Sequence, residues 1–350
     1  MKKLLRTLPL AALIALVMVL ATSCSQTSDL SMQEDVDKML EVTGEATDEA
    51  EDVAYKLAYD MELADDSTGF RTAGSDAEHR AADYLVEEFE KIGLEDVTKD
   101  AVTVDKWQFN EAYMNIDYTD KDGESQELNI DDMVSYAAQG TVQLGGDYSN
   151  LGIVDLGMGT EAEYQEYYEN SGNTDMSGKI ALVGVDQWNE VWIDGPYMEA
   201  ATQNAAAIVS YSMGGYAQYD DDTINIQDIC APDMKMPCTS ISKNDAERIQ
   251  KMLKNGTDIT AELYVDNEVG SQNGTSYNVT GTIKGTENTG QRIIVAGHYD
   301  KYFYGFEDDC TAVGLVTGIA KALIDSGYQP ANDIVFIAHG AEEWGRFDTS

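Results

Sequence analysis

Basic residues are scarce in this chain: 22 Lys and Arg stand against 64 Asp and Glu, leaving a formal net charge of −42. A balance so negative repels phosphate backbones and anionic membrane surfaces at moderate salt, which excludes nucleic acid as a partner. Long apolar runs are missing too. The longest, Leu8 to Ala21, falls short of the ~18 residues that a stable membrane span requires. Histidine occurs only three times, as His79, His298 and His339, and cysteine four times, as Cys24, Cys230, Cys238 and Cys310. With 43% hydrophobic residues over 350 positions, the chain nevertheless has enough apolar material for a sizeable core and more than one domain.

What is present begins with an export signal. Lys2, Lys3 and Arg6 precede the apolar Leu8–Ala21 run, and small residues lead to Cys24. Ala21-Thr22-Ser23-Cys24 resembles a bacterial lipobox, which predicts lipidation of Cys24 and attachment to a membrane through that lipid alone; plain secretion is the alternative. The polar stretch 25–44 then reads as a tether. Outside the cytoplasm Cys230 and Cys238 are close enough in sequence to pair across a loop, while Cys310 reads as a small buried side chain.

Periodicity organises the remainder. Val53, Ala54, Leu57, Ala58 and Met61 recur at helical spacing. Ser75 with Glu78 reads as a capping box opening a second helix whose stripe is Ala81, Tyr84, Leu85 and Phe89 and whose stop is Gly93. His79 falls off that stripe and reads as solvent-exposed. "AVTVDKWQF" and "YMNIDYT" alternate like strands, with "DKDGES" as their turn. Residues 131–266 are rich in Gly, Tyr and short strand-like runs and read as a β-rich insertion with its own small core, including the helix "NDAERIQKMLKNG". "RIIVAGHYD", "TAVGLVTGIAKALIDSG" and "DIVFIAHGAEE" then form a strand, helix, strand unit of the α/β type. Ligands of such sheets sit at the C-terminal ends of the strands.

Polar clusters stand at those ends: His298-x-Asp300, then Glu307-Asp308-Asp309, then Glu342-Glu343. A histidine can ligate a metal while a nearby aspartate orients its ring. A carboxylate pair can divide the work, one member ligating and the other accepting a proton from a metal-bound water. Each cluster alone is commonplace in so acidic a chain. Together and in this order they are specific, because carboxylates gathered there need a cation to compensate their burial.

"VAGHYD", "EDDCTAVGLV" and "FIAHGAEEWG" resemble the successive metal-site motifs of the co-catalytic zinc aminopeptidases, metallopeptidase family twenty-eight. "RTAGSDAEHRAADYLVEEFEKIGLEDV" is similar to that family's leading helical segment, and residues 131–266 resemble the protease-associated domain often inserted before the motifs. The resemblance runs from Thr43 to Ser350. It implies an α/β fold, a mixed β-sheet flanked by helices, formed by 45–130 and 267–350 around the insert. It implies two Zn2+ ions, with His298 and Glu343 as ligands, Asp309 bridging (Asp308 being the alternative register), Asp300 orienting His298 and Glu342 as general base. The expected substrates are peptides with a free N-terminus. A glutaminyl cyclase or carboxypeptidase of the same fold, or a non-catalytic exported peptide-binding protein, are the alternatives.

The family also supplies an aspartate and a histidine from later elements. His339 lies within its strand and reads as a packed strand residue. The expectation is therefore an N-terminal portion of a longer enzyme, with weak dizinc binding, no peptidase activity by itself, exposed apolar strand edges and poor solubility.

Overall fold

The computed structural model describes residues 30–64, 68–136, 148–189, 192–215, 220–224, 226, 236–287 and 290–343. The expected signal segment with Cys24 lies outside them. Among the described residues no helix is long and apolar enough to cross a membrane.

Helices α1 (Leu30–Val42), α2 (Thr47–Tyr59) and α3 (Asp76–Ile92) come first, followed by β1 (Glu95–Thr119) and β2 (Ser125–Ile130). Strands β3 (Val134–Ser135), β4 (Gly152–Asp155), β5 (Lys179–Asp186), β6 (Ala207–Gly214) and β7 (Cys238–Ile241) alternate with α4 (Glu161–Ser171), α5 (Asp194–Thr202) and α6 (Lys243–Lys254). The chain then runs through β8 (Ile259–Ile283), β9 (Arg292–His298), α7 (Thr311–Asp325) and β10 (Asp333–His339). Two five-stranded sheets result, ordered β2-β1-β8-β10-β9 and β3-β7-β6-β5-β4.

The two runs read as separate strands around "DKDGES" are one 25-residue strand, β1; that segment instead turns the chain into β2. Continuity follows from pairing: β1 and β8 are antiparallel from Glu95↔Thr282 to Tyr118↔Ile259, so each supplies the other's backbone partners through three register shifts. Because β8 starts at Ile259, the domain boundary expected at 266 falls inside a strand.

The segment between is not simply β-rich. Strands β4 to β7 are mutually parallel, with α4 crossing from β4 to β5 and α5 from β5 to β6. Nor is its core separate. Ile180, Leu182, Ile208 and Ile249 pack in one cluster with Phe109, Met114, Ile116 and Leu263 of the β1/β8 ribbon. A second cluster joins Val53, Leu57, Leu85, Phe89, Val313, Val316, Leu323, Ile334 and Phe336 between helices and the other sheet.

The strand, helix, strand unit forms as read. β9 and β10 pair in parallel with His298 opposite His339, so both strands end side by side. β9 is the edge strand of its sheet and leaves Ile294 63% exposed. Helix α7, apolar nearly all round, is held very close to α2 at two glycines. A Cβ at Gly314 would lie 2.3 Å from the Ala50 carbonyl oxygen, and one at Gly318 2.5 Å from that of Ala46. Since α7 starts directly after Cys310, this contact fixes the loop that carries Asp308 and Asp309. Gly314→Ala should overpack it and destabilise the fold by about 1–3 kcal/mol, to be read from the midpoint of urea unfolding.

Candidate metal centre

β9 ends on His298, which is only 8% exposed. Its Nδ1 lies 3.2 Å from the Asp300 backbone oxygen and 3.4 Å from Asp300 Oδ1. Its Nε2 faces Asp308 Oδ1 at 3.1 Å, with Asp309 Oδ2 at 3.8 Å and Glu342 Oε2 at 3.9 Å. The ring is therefore held from behind and presents one nitrogen to a ring of carboxylates.

Asp300, 1% exposed, does more than orient the ring. Its Oδ1 accepts the Glu342 backbone N–H at 3.1 Å and its Oδ2 that of Glu343 at 2.9 Å. The chain after β10 turns through Ala341 at φ 60°, a left-handed conformation uncommon for a residue with a Cβ, to bring both amides there. Asp300 thus ties the strand end that carries the histidine to the turn that carries the glutamate pair.

The Phe306–Cys310 turn brings the third cluster. It is entered through Gly305 at φ +49°, where a Cβ would sit 2.5 Å from Lys301 Cβ and 2.8 Å from the Asp308 carbonyl oxygen. The Asp308–Asp309 peptide bond is cis. The turn places its two aspartates differently. Asp308 joins His298 and Glu343 in a group whose donor atoms lie within 4.8 Å of one another. Asp309 turns Oδ2 onto the His298 backbone N–H at 3.2 Å and so anchors the strand end instead. Adjacent positions in so acidic a run are equivalent in pattern, and only the backbone decides which carboxylate faces the imidazole.

Burial works against a charged His298, but Asp300, Asp308 and Asp309 outweigh it and raise its pKa to about 11. The hydrogen bond to His298 holds the Asp308 carboxyl below its ordinary value, while burial pushes Asp309 up to about 6. Carboxylates gathered round one imidazole nitrogen make a field that favours a cation there. His339, half-buried with its ring centre 6.0 Å from that of His298, has its pKa lowered by burial and by the His298 charge. It lies outside the donor group, in keeping with its reading as a strand residue.

Beneath the site lie two buried basic side chains that no motif in the sequence marks. Arg71, 0% exposed, donates to the carbonyls of Tyr299 (2.5 Å), Leu57 (2.8 Å) and Leu63 (3.0 Å) and to Cys310 Sγ (3.3 Å). Lys301 donates to Ala58 O at 2.8 Å and Tyr304 O at 3.1 Å. Both thereby cap the C-terminal carbonyls of α2, where the helix dipole favours positive charge. Burial, with Arg71 nearby, lowers the Lys301 pKa to about 7.

Glu78 also departs from its expected place. Ser75 caps α3 by accepting the Glu78 N–H at 3.1 Å, but the reciprocal bond of a capping box is not made. The Glu78 carboxylate instead accepts the Gly74 N–H at 2.7 Å and the Ser276 hydroxyl at 2.5 Å, fully buried. Burial raises its pKa to about 8. His79 is not simply solvated either. It is half-buried, with Nε2 2.6 Å from Thr275 O and its ring edge-on to Tyr277, because β8 passes over the first turn of α3.

Of the two cysteines close enough in sequence to pair, Cys238 is a free, buried cysteine on β7, with Met236 and Ile241 buried on either side of it. Cys230 lies outside the described residues.

Comparison with known proteins agrees with this geometry. Residues 278–348 match the model of peptidase family M28. Carboxypeptidase Q of Bos taurus is 23% identical over 302 residues, covering 83% of this chain and 59% of that protein. The glutamate carboxypeptidase 2 homologue of Caenorhabditis elegans is 33% identical over 72 residues, 19% of this chain and 9% of that protein. Among solved structures, an M28 peptidase precursor from Shewanella amazonensis superposes with a TM-score of 0.65 at 23% identity, covering 88% of this chain and 67% of the other. BSAP, a zinc aminopeptidase from Bacillus subtilis, gives 0.59 at 19% identity, covering 84% and 61%. The fold is that of the M28 peptidases, mixed sheets flanked by helices, and the chain spans 59% of the length of the carboxypeptidase Q that it matches.

Glu78 gives a pH dependence. Its proton is held more tightly in the folded than in the unfolded chain, so the stability it contributes is fully present below pH about 4.5 and is lost as pH rises to about 8. Unfolding free energies of Glu78→Gln should fall less steeply than wild type over that window; parallel profiles would show that another group is responsible.

Proposed function

We propose that the protein is a zinc-dependent exopeptidase acting at the N-terminal end of peptides, with His298, Asp308 and Glu343 as metal ligands. The convergence of those three donors within 4.8 Å, at the C-terminal ends of two parallel strands, carries the reading. The set fits the ion. Donors about 2.0–2.1 Å from a tetrahedral zinc stand roughly 3.3 Å apart, and three protein ligands leave a fourth position open. Nitrogen with carboxylate oxygen is also a donor chemistry zinc accepts. Two zincs remain the proposed complement, as in the enzymes the motifs resemble.

A zinc ion bound there would acidify a water in its open position and polarise a peptide carbonyl. The chain's own residues supply the rest. Glu342, its side chain 52% exposed and its Oε2 3.9 Å from His298 Nε2, stands where it can take a proton from that water and pass it to the leaving amine. Asp300 orients the His298 ring through Nδ1 and holds both glutamate amides. The negative surface favours the cationic amine of a peptide N-terminus. Carboxypeptidase Q among the relatives favours a second reading, in which the substrate's free carboxylate is recognised. The unit around β3–β7 is proposed as a protease-associated domain. The 1–24 segment supports export and tethering at Cys24, with secretion as the alternative.

Zinc titration of the purified chain followed by calorimetry tests the centre. His298→Ala and Asp308→Asn are expected to weaken binding at least about tenfold and Asp309→Asn distinctly less; equal effects of the two aspartates would cancel the assignment. For chemistry, free and N-blocked amino-acid anilides are compared with C-terminally blocked peptides. Turnover that requires the free amine supports the aminopeptidase reading, and there Glu342→Gln should cut kcat by roughly 10²–10⁴ with KM near wild type; absence of turnover by this chain alone agrees with the expectation drawn from its ligand count.

A further inference from the structure

The turn that carries Glu342 and Glu343 is gripped from two sides. Asp300 holds the two glutamate amides on one side. On the other, the preceding Gly340 is pressed against a buried polar cluster. A Cβ at that position would lie 2.4 Å from Glu78 Oε1, 2.4 Å from Ser276 Oγ and 3.0 Å from the Tyr299 hydroxyl. No side chain fits there, so the backbone of the turn rests directly on these three groups. They in turn are fixed: Glu78 by the Gly74 N–H and Ser276, and Tyr299 by its hydroxyl bond to Tyr277 O at 2.8 Å and its N–H bond to His339 O at 3.0 Å. A fully buried carboxylate is costly unless it is hydrogen-bonded, and the Gly74 and Ser276 bonds that hold this one are not those of a capping box, because the Ser75 N–H goes to Thr72 O instead.

We infer that Glu78 is a positioning residue. Wedged between α3, β8 and Gly340, it sets the height of the Gly340–Ala341 turn and thereby aims Glu342 and Glu343 at the His298–Asp308 pair. It touches neither substrate nor the donor atoms and acts through the backbone of the turn. Its place at the foot of α3 couples a helix near the start of the described chain to a turn some 260 residues later. The functional meaning rests on the metal-centre reading above, whereas the grip on the turn does not.

Hydrogen exchange of the Glu342 and Glu343 amides, measured on the whole chain, tests the grip without any metal. Glu78→Ala should speed their exchange roughly tenfold while amides in the middle of α3 and β1 keep their protection. Glu78→Gln, which keeps the shape and can bond both Gly74 and Ser276, should restore most of it. Gly340→Ala should show the same local defect, and Glu78→Ala with Gly340→Ala should recover part of the loss, since truncation makes room for the methyl group. With zinc present, the same variants should weaken binding about tenfold and lower kcat with little change in KM. Unchanged exchange at 342 and 343 in Glu78→Ala, tolerance of Gly340→Ala, or a uniform loss of protection across the molecule would each overturn the inference. If the exchange pattern holds but the unaltered chain takes up no zinc, the metal-centre reading fails and the positioning of the turn by Glu78 stands.

Discussion

Both oxygens of the Asp300 carboxylate are used on one short turn, accepting the amides of Glu342 and Glu343, while the same side chain backs the His298 ring. That one buried aspartate joins the ends of β9 and β10 into a single surface. Parallel pairing brings the two strand ends side by side, but it does not aim their side chains. Charge-assisted hydrogen bonds to two successive amides do, because they fix two peptide planes at once.

The remainder of the site is support for that junction. Arg71 and Lys301 fill the space below it and answer the carbonyls at the end of α2, so that their buried charge is met by backbone oxygens. The glycine contacts of α7 with α2 hold the start of α7, and with it the Asp308–Asp309 turn, at one depth. The long β1/β8 ribbon pairs with β10 at one end and shares a core with the second sheet at the other. The site is thereby built on strands and helix ends held on several sides, which is the condition for side chains to be placed to within fractions of an ångström.

Much of this was legible in the chain. The apolar runs of β9 and β10 and the apolar helix between them announce a buried parallel unit, and the polar clusters fall at its ligand-binding end. The stripe of α3 and its glycine stop formed as read. The differences between pattern and structure share a cause. Asp308 and Asp309 are indistinguishable by pattern, and the backbone of one turn sorted them. Glu78 matched a capping signature, yet a hydroxyl brought in by β8 took its carboxylate. The middle segment looked β-rich with a core of its own because short strand runs carry no record of which neighbours they will pack against.

The sequence by itself determined the chemistry available: a donor set of histidine and carboxylates in a fixed order, an acidic surface, and a strand, helix, strand frame for them. These are local properties, set by hydrophobic period and residue type. Only the tertiary structure decided which carboxylate faces His298, which cations are buried beneath it, and that Glu78 reaches the glutamate turn. Those outcomes depend on contacts between residues up to some 260 positions apart, and close packing admits a single arrangement that no local pattern encodes.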